Sequence, residues 1–524
     1  MLVRGLSIVA LALGAAARNP HGSAPQYAFV IVGGGTCGLV VANRLSELEN
    51  VTVAVIEAGD SVFNNVNVTN FMRYGLAFGT EIDWAYETAN QTYTDALKHI
   101  IRAGKAIGGT RMSYTRAEDA QIDNWERVGN QGWGWKDLLP YYKKSEDFQI
   151  PTKHQASLGA SYTDEFHGHS GPLKVGSPNS ITNDTVFSIL SQTIGNLGVK
   201  HNPDANSGHM IGFNDHPDTL DKERNIRADA AHAYYWRYES RSNLKNIYAR
   251  KEIILSAGAV RSLQLLEISG VGNPEILSRH NISINVALSS VGENLQDQTD
   301  NPLSWEFNET FSGLVSFSAL ISINQLYGSN VSALKRQIDS SIGGYAKILS
   351  NKTNGAVKQD RYFEFLKIQR NLIFDSLVPY VEIVFVPRGQ DFVIEYWPLQ
   401  PFSRGNIDAA RYIRKIFETA PLAGTVGDEL IPSCKVLPHN ASRATWQRWV
   451  KDNYRPNCHF VGTNSMLPRE KGGVVSSELR VYGTQNVRVV DASIMPFQIS
   501  GHLSSTLYAI AEKASDMIKD SYRH

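Results

Sequence analysis

Residues 27–60 read YAFVIVGGGTCGLVVANRLSELENVTVAVIEAGD, in the order strand, glycine turn, helix, strand, acid. Tyr27 to Val32 is a continuous apolar run of the kind that a parallel strand buried on both faces requires, and Val51 to Ile56 is a second. Between them, Leu39 to Leu48 repeats its apolar residues at helical spacing. Gly33, Gly35 and Gly38 fill the G-x-G-x-x-G positions. The first permits the tight turn, the second lets a pyrophosphate approach the backbone at the positive end of the helix, and the third lets helix and strand pack closely. Glu57 closes the unit about twenty residues on, where a carboxylate accepts both ribose hydroxyls. A lone triplet is also compatible with an ordinary βαβ turn, but strand, helix, strand and terminal acid together predict a dinucleotide site. The motif does not itself choose NAD over FAD. Its place near the start of the chain, with nothing like a second dinucleotide fold after it, favours a tightly held flavin.

Outward from this unit, 524 residues exceed one simple core, so two domains or one large α/β domain with an inserted lobe are expected. Lys plus Arg and Asp plus Glu both count 51 and neither sign forms a long block, which removes the electrostatic case for nucleic acid or an anionic membrane surface. The expected partner is a small molecule. At the N-terminus, MLVRGLSIVALALGAAARNPHG has one positive charge, Arg4, ahead of an apolar stretch from Gly5 to Ala17, and small residues follow. Residues 1–18 are expected to be a secretory signal peptide, too short in its apolar part to span a bilayer. Nine Asn-x-Ser/Thr acceptors (Asn50, Asn67, Asn90, Asn183, Asn281, Asn308, Asn330, Asn351 and Asn440) agree with a secreted glycoprotein. Three cysteines cannot form a disulfide framework: Cys434 and Cys458 could pair, and Cys37 fills space in the glycine turn.

Four further stretches carry a family resemblance. RAGKAIGGTRMSYTR starts at Arg102 and contains a second glycine turn at Gly108 and Gly109. KEIILSAGAVRSLQLLEISGVGNPEIL, from Lys251, runs strand, small-residue turn and helix, and VGENLQDQ holds Gly292, Asn294 and Asp297. GGVVSSELRVYGTQNVRVVDASIMPFQISGH ends at His502. With the first motif, and in this order from about Tyr27 to the C-terminus, they resemble the glucose-methanol-choline oxidoreductases. YTRAEDAQIDNWE is most similar to the family's fungal secreted branch of secondary metabolism. The resemblance implies an α/β fold: a Rossmann-like FAD-binding domain plus an α+β substrate domain with an antiparallel sheet. The FAD domain would comprise 26–118, 225–299 and 454–524, and the substrate domain 119–224 and 300–453. Gly33, Gly35, Thr36, Gly38 and Glu57 would hold the ADP half of FAD. Arg102, Gly108, Gly109 and Thr110 would pass the pyrophosphate and flavin, and Asp491 and Ala492 would meet the cofactor through the backbone. The aromatic-rich region from about Asn301 to Arg455 reads as core and names no substrate.

RPNCHFVGT sets His459 before a small-residue turn, and 43 positions later ISGHLSSTLY sets His502 before a helical run. Oxidising an alcohol removes its hydroxyl proton as hydride leaves the same carbon, and imidazole is a natural base near neutral pH. The resemblance implies that His459 is that base and His502 its partner on the substrate oxygen, with no metal. The sequence departs from the family pattern at two places. Gly109 and Thr110 run straight into RMSYTR without a Ser-x-x-Asn segment, and Leu244 stands only seven residues before Lys251, where the family carries an adenine-contacting strand and a β-meander. Ser262-Leu263 also replaces the usual Ser-Pro. The expected activity is FAD-dependent oxidation of a small alcohol, with oxygen or another acceptor, by a monomer or homodimer. A sugar oxidase is the nearest rival, and a non-redox cyclase or lyase, or a degenerate member, stands in a second class.

Overall fold

The apolar runs of the opening motif become the strands Gln26–Val32 and Val53–Ile56, with the helix Thr36–Ser46 between them. The structure, a computed structural model, describes residues 2–4 and 25–522 apart from 74, 93, 110–111, 179–184, 236–239, 243–245, 312–316 and 402–406. Both departures noted above, after Thr110 and at Leu244, therefore touch residues outside the described ones. The two strands lie in a six-stranded parallel sheet of order Ser240–Ser242, Leu2–Arg4, Val53–Ile56, Gln26–Val32, Tyr248–Leu255, Val487–Val489. Leu2–Arg4, inside the expected leader, is thus a strand of this sheet, while residues 5–24 lie outside the described ones. Ala28 through Val32 are all buried, as a central parallel strand covered on both faces must be. The Thr36–Ser46 helix buries Leu39, Val40, Val41 and Leu45 and packs against the C-terminal helix Ser504–Asp520. Arg44 joins the two helices by gripping Glu512 through Nε at 2.9 Å and Nη2 at 2.7 Å.

A second core surrounds an antiparallel sheet ordered Val426–Ile431, Thr299–Phe311, Val381–Pro398, Phe317–Ile321, Gly212–Asp215, with Arg455–Pro456 paired to the start of Thr299–Phe311. Aromatics fill it: Trp305 stacks on Phe417 at 3.8 Å between ring centroids, and Phe213, Phe317, Phe385 and Phe392 are fully buried. The aromatic-rich stretch is core, as its composition suggested. This sheet delivers His216, Glu382 and Trp397 to the same place to which the parallel-sheet segments deliver His459 and His502.

The three cysteines are free thiols, so the possible pairing of Cys434 with Cys458 is not made. Cys458 accepts a hydrogen bond from the Arg102 amide at 3.2 Å, whereas Cys434 sits on the exposed turn after Val426–Ile431 beside His439, at 3.2 Å. No helix among the described residues is long and apolar enough to cross a membrane.

One buried ionic cluster packs against the first core, with Arg116 over Tyr142 and His167 against Phe148. Arg116 and Glu146, both fully buried, pair at 2.8 Å; His167 bridges Glu146 and Asp204, each at 3.1 Å. Burial alone would lower the affinity of His167 for its proton, but the two carboxylates outweigh it and raise the pKa above the ordinary value. Arg116 directly follows Thr115, which touches His502, so this cluster holds part of the site from behind. Glu146→Ala leaves the buried Arg116 guanidinium without its carboxylate and His167 with only one of its two. The expected loss is about 3–5 kcal/mol, read from the denaturant midpoint; an unchanged midpoint would refute it.

Candidate active site

The glycine turn closes by contact. A Cβ on Gly38 would lie 1.9 Å from the Gly33 carbonyl oxygen, and one on Gly33 would lie 2.4 Å from the Ser256 oxygen, so both positions are pressed against backbone. A Cβ on Gly35, at the N-cap of the helix, meets nothing within 4 Å. The open position is therefore the one where a phosphate would approach the helix end. Glu57 follows the second strand and accepts hydrogen bonds from the amides of Gly34 at 2.6 Å and Gly59 at 2.7 Å. Gly108 and Gly109, both at positive φ, bring the second turn alongside: the Gly108 amide donates to the Gly34 carbonyl at 2.9 Å, and a Cβ on Gly109 would lie 2.8 Å from Thr36 Oγ1. Thr110 lies outside the described residues. Arg102 does not bring its guanidinium to the glycine turns; Nη1 pairs with Asp83 at 2.7 Å.

Asp491 is buried, and its side chain is committed to the protein. It accepts from the Gly258 amide at 2.9 Å, from Ser262 Oγ at 2.5 Å, and from the Ser493 amide and hydroxyl at 2.9 and 2.5 Å. The Ser262 hydroxyl, beside the missing proline, is what ties that helix to Asp491. The Ala492 carbonyl accepts from the Gly462 amide at 3.3 Å, which brings this segment against the turn after His459.

The two histidines do meet. Their ring centroids are 5.3 Å apart and the planes are nearly perpendicular, at 83°. The indole of Trp397 stands edge-on to both, at 6.2 Å from His459 and 5.8 Å from His502. His459 Nδ1 lies 3.0 Å from Gln298 Oε1 and 3.1 Å from Asn457 Nδ2, which itself donates to the same Gln298 oxygen at 3.1 Å. Gln298 spends its amide nitrogen on the Ile499 carbonyl at 3.3 Å, so its oxygen must face the imidazole. Nδ1 thus faces both an acceptor and a donor; with Asn457 Nδ2 committed to the Gln298 oxygen, the tautomer that uses that acceptor carries its proton on Nδ1 and its lone pair on Nε2. Behind the ring, Asp297 accepts the amides of His459 at 2.9 Å and Cys458 at 3.1 Å, fixing a segment in which Cys458 has φ +62°. His502 donates its amide to Thr115 Oγ1 at 2.6 Å, and its Nδ1 is 3.4 Å from that hydroxyl and 3.8 Å from Glu382 Oε1.

Comparisons with known proteins agree with this architecture. Family models described as GMC oxidoreductase match residues 27–245 and 236–300, and 401–511. The chain belongs to the GMC oxidoreductase family. It is 37% identical to the glucose oxidase-like protein fsoC of Humicola fuscoatra over 577 residues, covering 96% of this chain and 97% of that one. It is 30% identical to a glucose oxidase of Aspergillus carbonarius, covering 94% and 92%. The alignment with the Humicola protein is longer than the 524-residue chain, so that relative carries residues this GMC oxidoreductase lacks. Among solved structures, an FAD-dependent oxidoreductase from Chaetomium thermophilum superposes with a TM-score of 0.84 at 24% identity, covering 95% of this chain and 100% of that one. A fungal aryl-alcohol oxidase gives 0.80 at 22%, covering 95% and 99%. These last two share the fold.

The protein is thus an FAD-dependent oxidoreductase with a Rossmann-like sheet and an antiparallel sheet in its second domain. The open position at Gly35, the Glu57 carboxylate at the strand end and the second turn at Gly108 and Gly109 fit a dinucleotide.

The sequence reading missed Gln298, Trp397, Glu382 and His216. Gln298 stood inside NLQDQ, and Glu382 left a faint signal as a carboxylate inside the apolar run VEIVFV. Glu382 is fully buried; neither carboxyl oxygen makes a hydrogen bond of good geometry, and burial pushes it up to about 8 against the opposing influence of the Trp397 indole. It is neutral at pH 7. His216, also buried, is held down to about 3, first by burial and then by the nearby His502, so it too is neutral.

Two outcomes follow from this geometry. Gly35→Val should fold normally but purify without flavin, whereas Gly38→Ala, driven into backbone, should lose stability as well; equal melting behaviour or a yellow Gly35→Val protein would contradict the assignment. Because the Glu382 pKa is raised from its ordinary value near 4.5 to about 8, its proton stabilises the folded state most at low pH, and that contribution is lost as pH rises towards about 8. The melting temperature of the parent minus that of Glu382→Gln should fall from about pH 5 to about pH 8 and then level off. A difference independent of pH would show that Glu382 ionises normally.

Proposed function

We propose that the protein oxidises the CH–OH group of a small alcohol, with His459 Nε2 taking the hydroxyl proton. FAD, when bound, supplies the acceptor for the hydride that leaves the same carbon. The single observation that carries this reading is the Gln298 carboxamide oxygen opposite His459 Nδ1, which leaves the lone pair on Nε2. His502 complements it. With its Nδ1 facing the Thr115 hydroxyl and the neutral carboxyl of Glu382, its proton belongs on Nε2, where it donates to the substrate oxygen. One imidazole accepts and the other donates, and the Trp397 indole packs edge-on against both. Gly33, Gly35, Thr36, Gly38, Glu57, Gly108, Gly109, Asp491 and Ala492 line the cofactor's path in this reading. The Arg102 backbone, whose amide meets Cys458, borders it while its guanidinium serves Asp83.

We place the enzyme outside the cell, because of the leader-like N-terminus and the nine glycosylation triplets, and in fungal secondary metabolism, because of the stretch YTRAEDAQIDNWE and its resemblance to that branch of the family. The electron acceptor is oxygen in this reading, as the glucose oxidase relatives suggest. A sugar is the second reading, favoured by the buried polar atoms around the pair that lack protein partners: both oxygens of Glu382, Trp397 Nε1 and Gln498 Oε1. A panel of aromatic alcohols and sugars, with oxygen uptake recorded, separates the two. Anaerobic bleaching of the flavin by substrate excludes a non-redox cyclase or lyase.

His459→Ala should lower turnover by about 10²- to 10⁴-fold, the usual worth of a general base, with flavin content unchanged. The readout is anaerobic flavin reduction in single turnover. Reduction at the parental rate would remove His459 from the mechanism.

A further inference from the structure

Beyond the His459 and His502 pair lies a third imidazole that the proposed reaction does not use. His216 follows the strand Gly212–Asp215, is 2% exposed, and its ring centroid is 5.8 Å from that of His502 with the planes inclined by 32°. It belongs to the antiparallel sheet, as Glu382 does, so both approach the pair from the same domain. Its Nδ1 lies 3.4 Å from Ser318 Oγ, and Ser318 Oγ lies 3.4 Å from Asn214 Oδ1, while Asn214 Nδ2 is buried without a partner. Exchanging oxygen and nitrogen at this carboxamide, which have nearly the same shape, turns the three groups into a directed chain. Asn214 then donates to Ser318, whose hydroxyl donates to His216 Nδ1, and the atom left unpaired is a carbonyl oxygen, which costs less than an orphaned N–H. The chain leaves the His216 proton on Nε2 and makes the ring a donor.

A donor and a neutral carboxyl therefore adjoin the reacting pair, and Glu382 has no good protein partner for either oxygen. A hydrocarbon alcohol would bury these groups unpaired, at about 1–3 kcal/mol each. A second oxygen beside the reacting carbon would pair with them. We propose that His216 is a specificity-determining residue that donates to a second substrate oxygen, so that the preferred substrates are vicinal diols, hemiacetals or α-hydroxycarbonyl compounds. This rests on the assignment of His459 and His502 as the reacting pair.

The test compares 1-phenyl-1,2-ethanediol with 2-phenylethanol, which share a primary alcohol and differ in the neighbouring hydroxyl, in the flavin-loaded parent, His216→Phe, His216→Gln and His459→Ala. The parent should favour the diol in kcat/KM by about tenfold or more, which corresponds to about 1.4 kcal/mol. His216→Phe should lose that preference, the ratio of kcat/KM for the diol to kcat/KM for 2-phenylethanol falling to about one, and His216→Gln, which keeps an N–H donor, should regain part of it. A parent without preference, an equal loss on both substrates in His216→Phe, or no rescue by Gln would overturn the role of His216. If the parent flavin is bleached by neither compound nor by any alcohol of the wider panel, the alcohol-oxidation reading falls, and this inference with it. If His459→Ala is bleached at the parental rate, the base is misassigned; a diol preference still abolished by His216→Phe would then uphold the specificity role alone.

Discussion

Four hydrogen bonds onto one buried carboxylate hold this molecule's chemistry together. Asp491 takes the Gly258 amide and the Ser262 hydroxyl from one segment and the Ser493 amide and hydroxyl from its own. Burial pushes its pKa up while those donors work against the rise, which is how a charge is kept inside a fold. From Asp491 the contacts run both ways. Ser256, just before Gly258, is the backbone against which Gly33 is pressed. On the other side, the Gly462 amide reaches the Ala492 carbonyl, Asn464 reaches Ser493, and Thr463 Oγ1 donates to the Ala259 carbonyl at 2.5 Å. The nucleotide turn near residue 35 and the imidazole at 459 are thus set relative to each other through three turns, each too tight to adjust independently.

That arrangement explains what was legible in the amino-acid sequence. Gly33, Gly35, Gly38 and Glu57 carry their meaning locally, since each is needed by the turn in which it stands, and the structure places them as a βαβ turn requires. His459 and His502 were legible because each stands in its own short motif, although only the fold makes them neighbours. Glu382, Trp397 and His216 had no such mark. Glu382 and Trp397 lie on a strand whose alternation is that of any core strand, His216 directly follows another, and their importance comes from an antiparallel sheet, distant in sequence, meeting the histidine turns. Arg102 shows the opposite failure: its position matched a motif, but the nearest anion for its guanidinium is Asp83, and the backbone rather than the side chain borders the site. Cys458 likewise serves the local turn through its thiol and not a disulfide.

The two domains divide the labour by polarity. The parallel-sheet segments present backbone and tethered groups: Asp297, Gln298 and Thr115 each fix a histidine by a short hydrogen bond. The antiparallel sheet presents side chains without strong partners of their own, Glu382 and Trp397 among them. The first set is preorganised, so little rearrangement is needed when a proton moves. The second set is unsatisfied until something polar enters, which makes it the natural source of discrimination between substrates.

Charge follows the same division. Burial keeps Glu382 and His216 neutral near pH 7, so the substrate-facing wall contributes dipoles and no net charge. Behind His459, Asp297 is raised by burial to about 7, against the pull of the Gln298, His459 and Cys458 amides that it accepts. Above that pH it is an anion lying one peptide group from the imidazole, while Gln298 Oε1 accepts from Nδ1. In the proposed reaction a proton taken up at His459 Nε2 would create a cation with the Gln298 carbonyl dipole at its far side and Asp297 bound to the backbone behind it, in surroundings where such interactions are weakly screened. Charge placed behind the ring and not at the substrate would steady that cation without repelling the alkoxide that the proposed reaction develops in front of it. The wall opposite, kept neutral by burial, adds nothing that would oppose that charge.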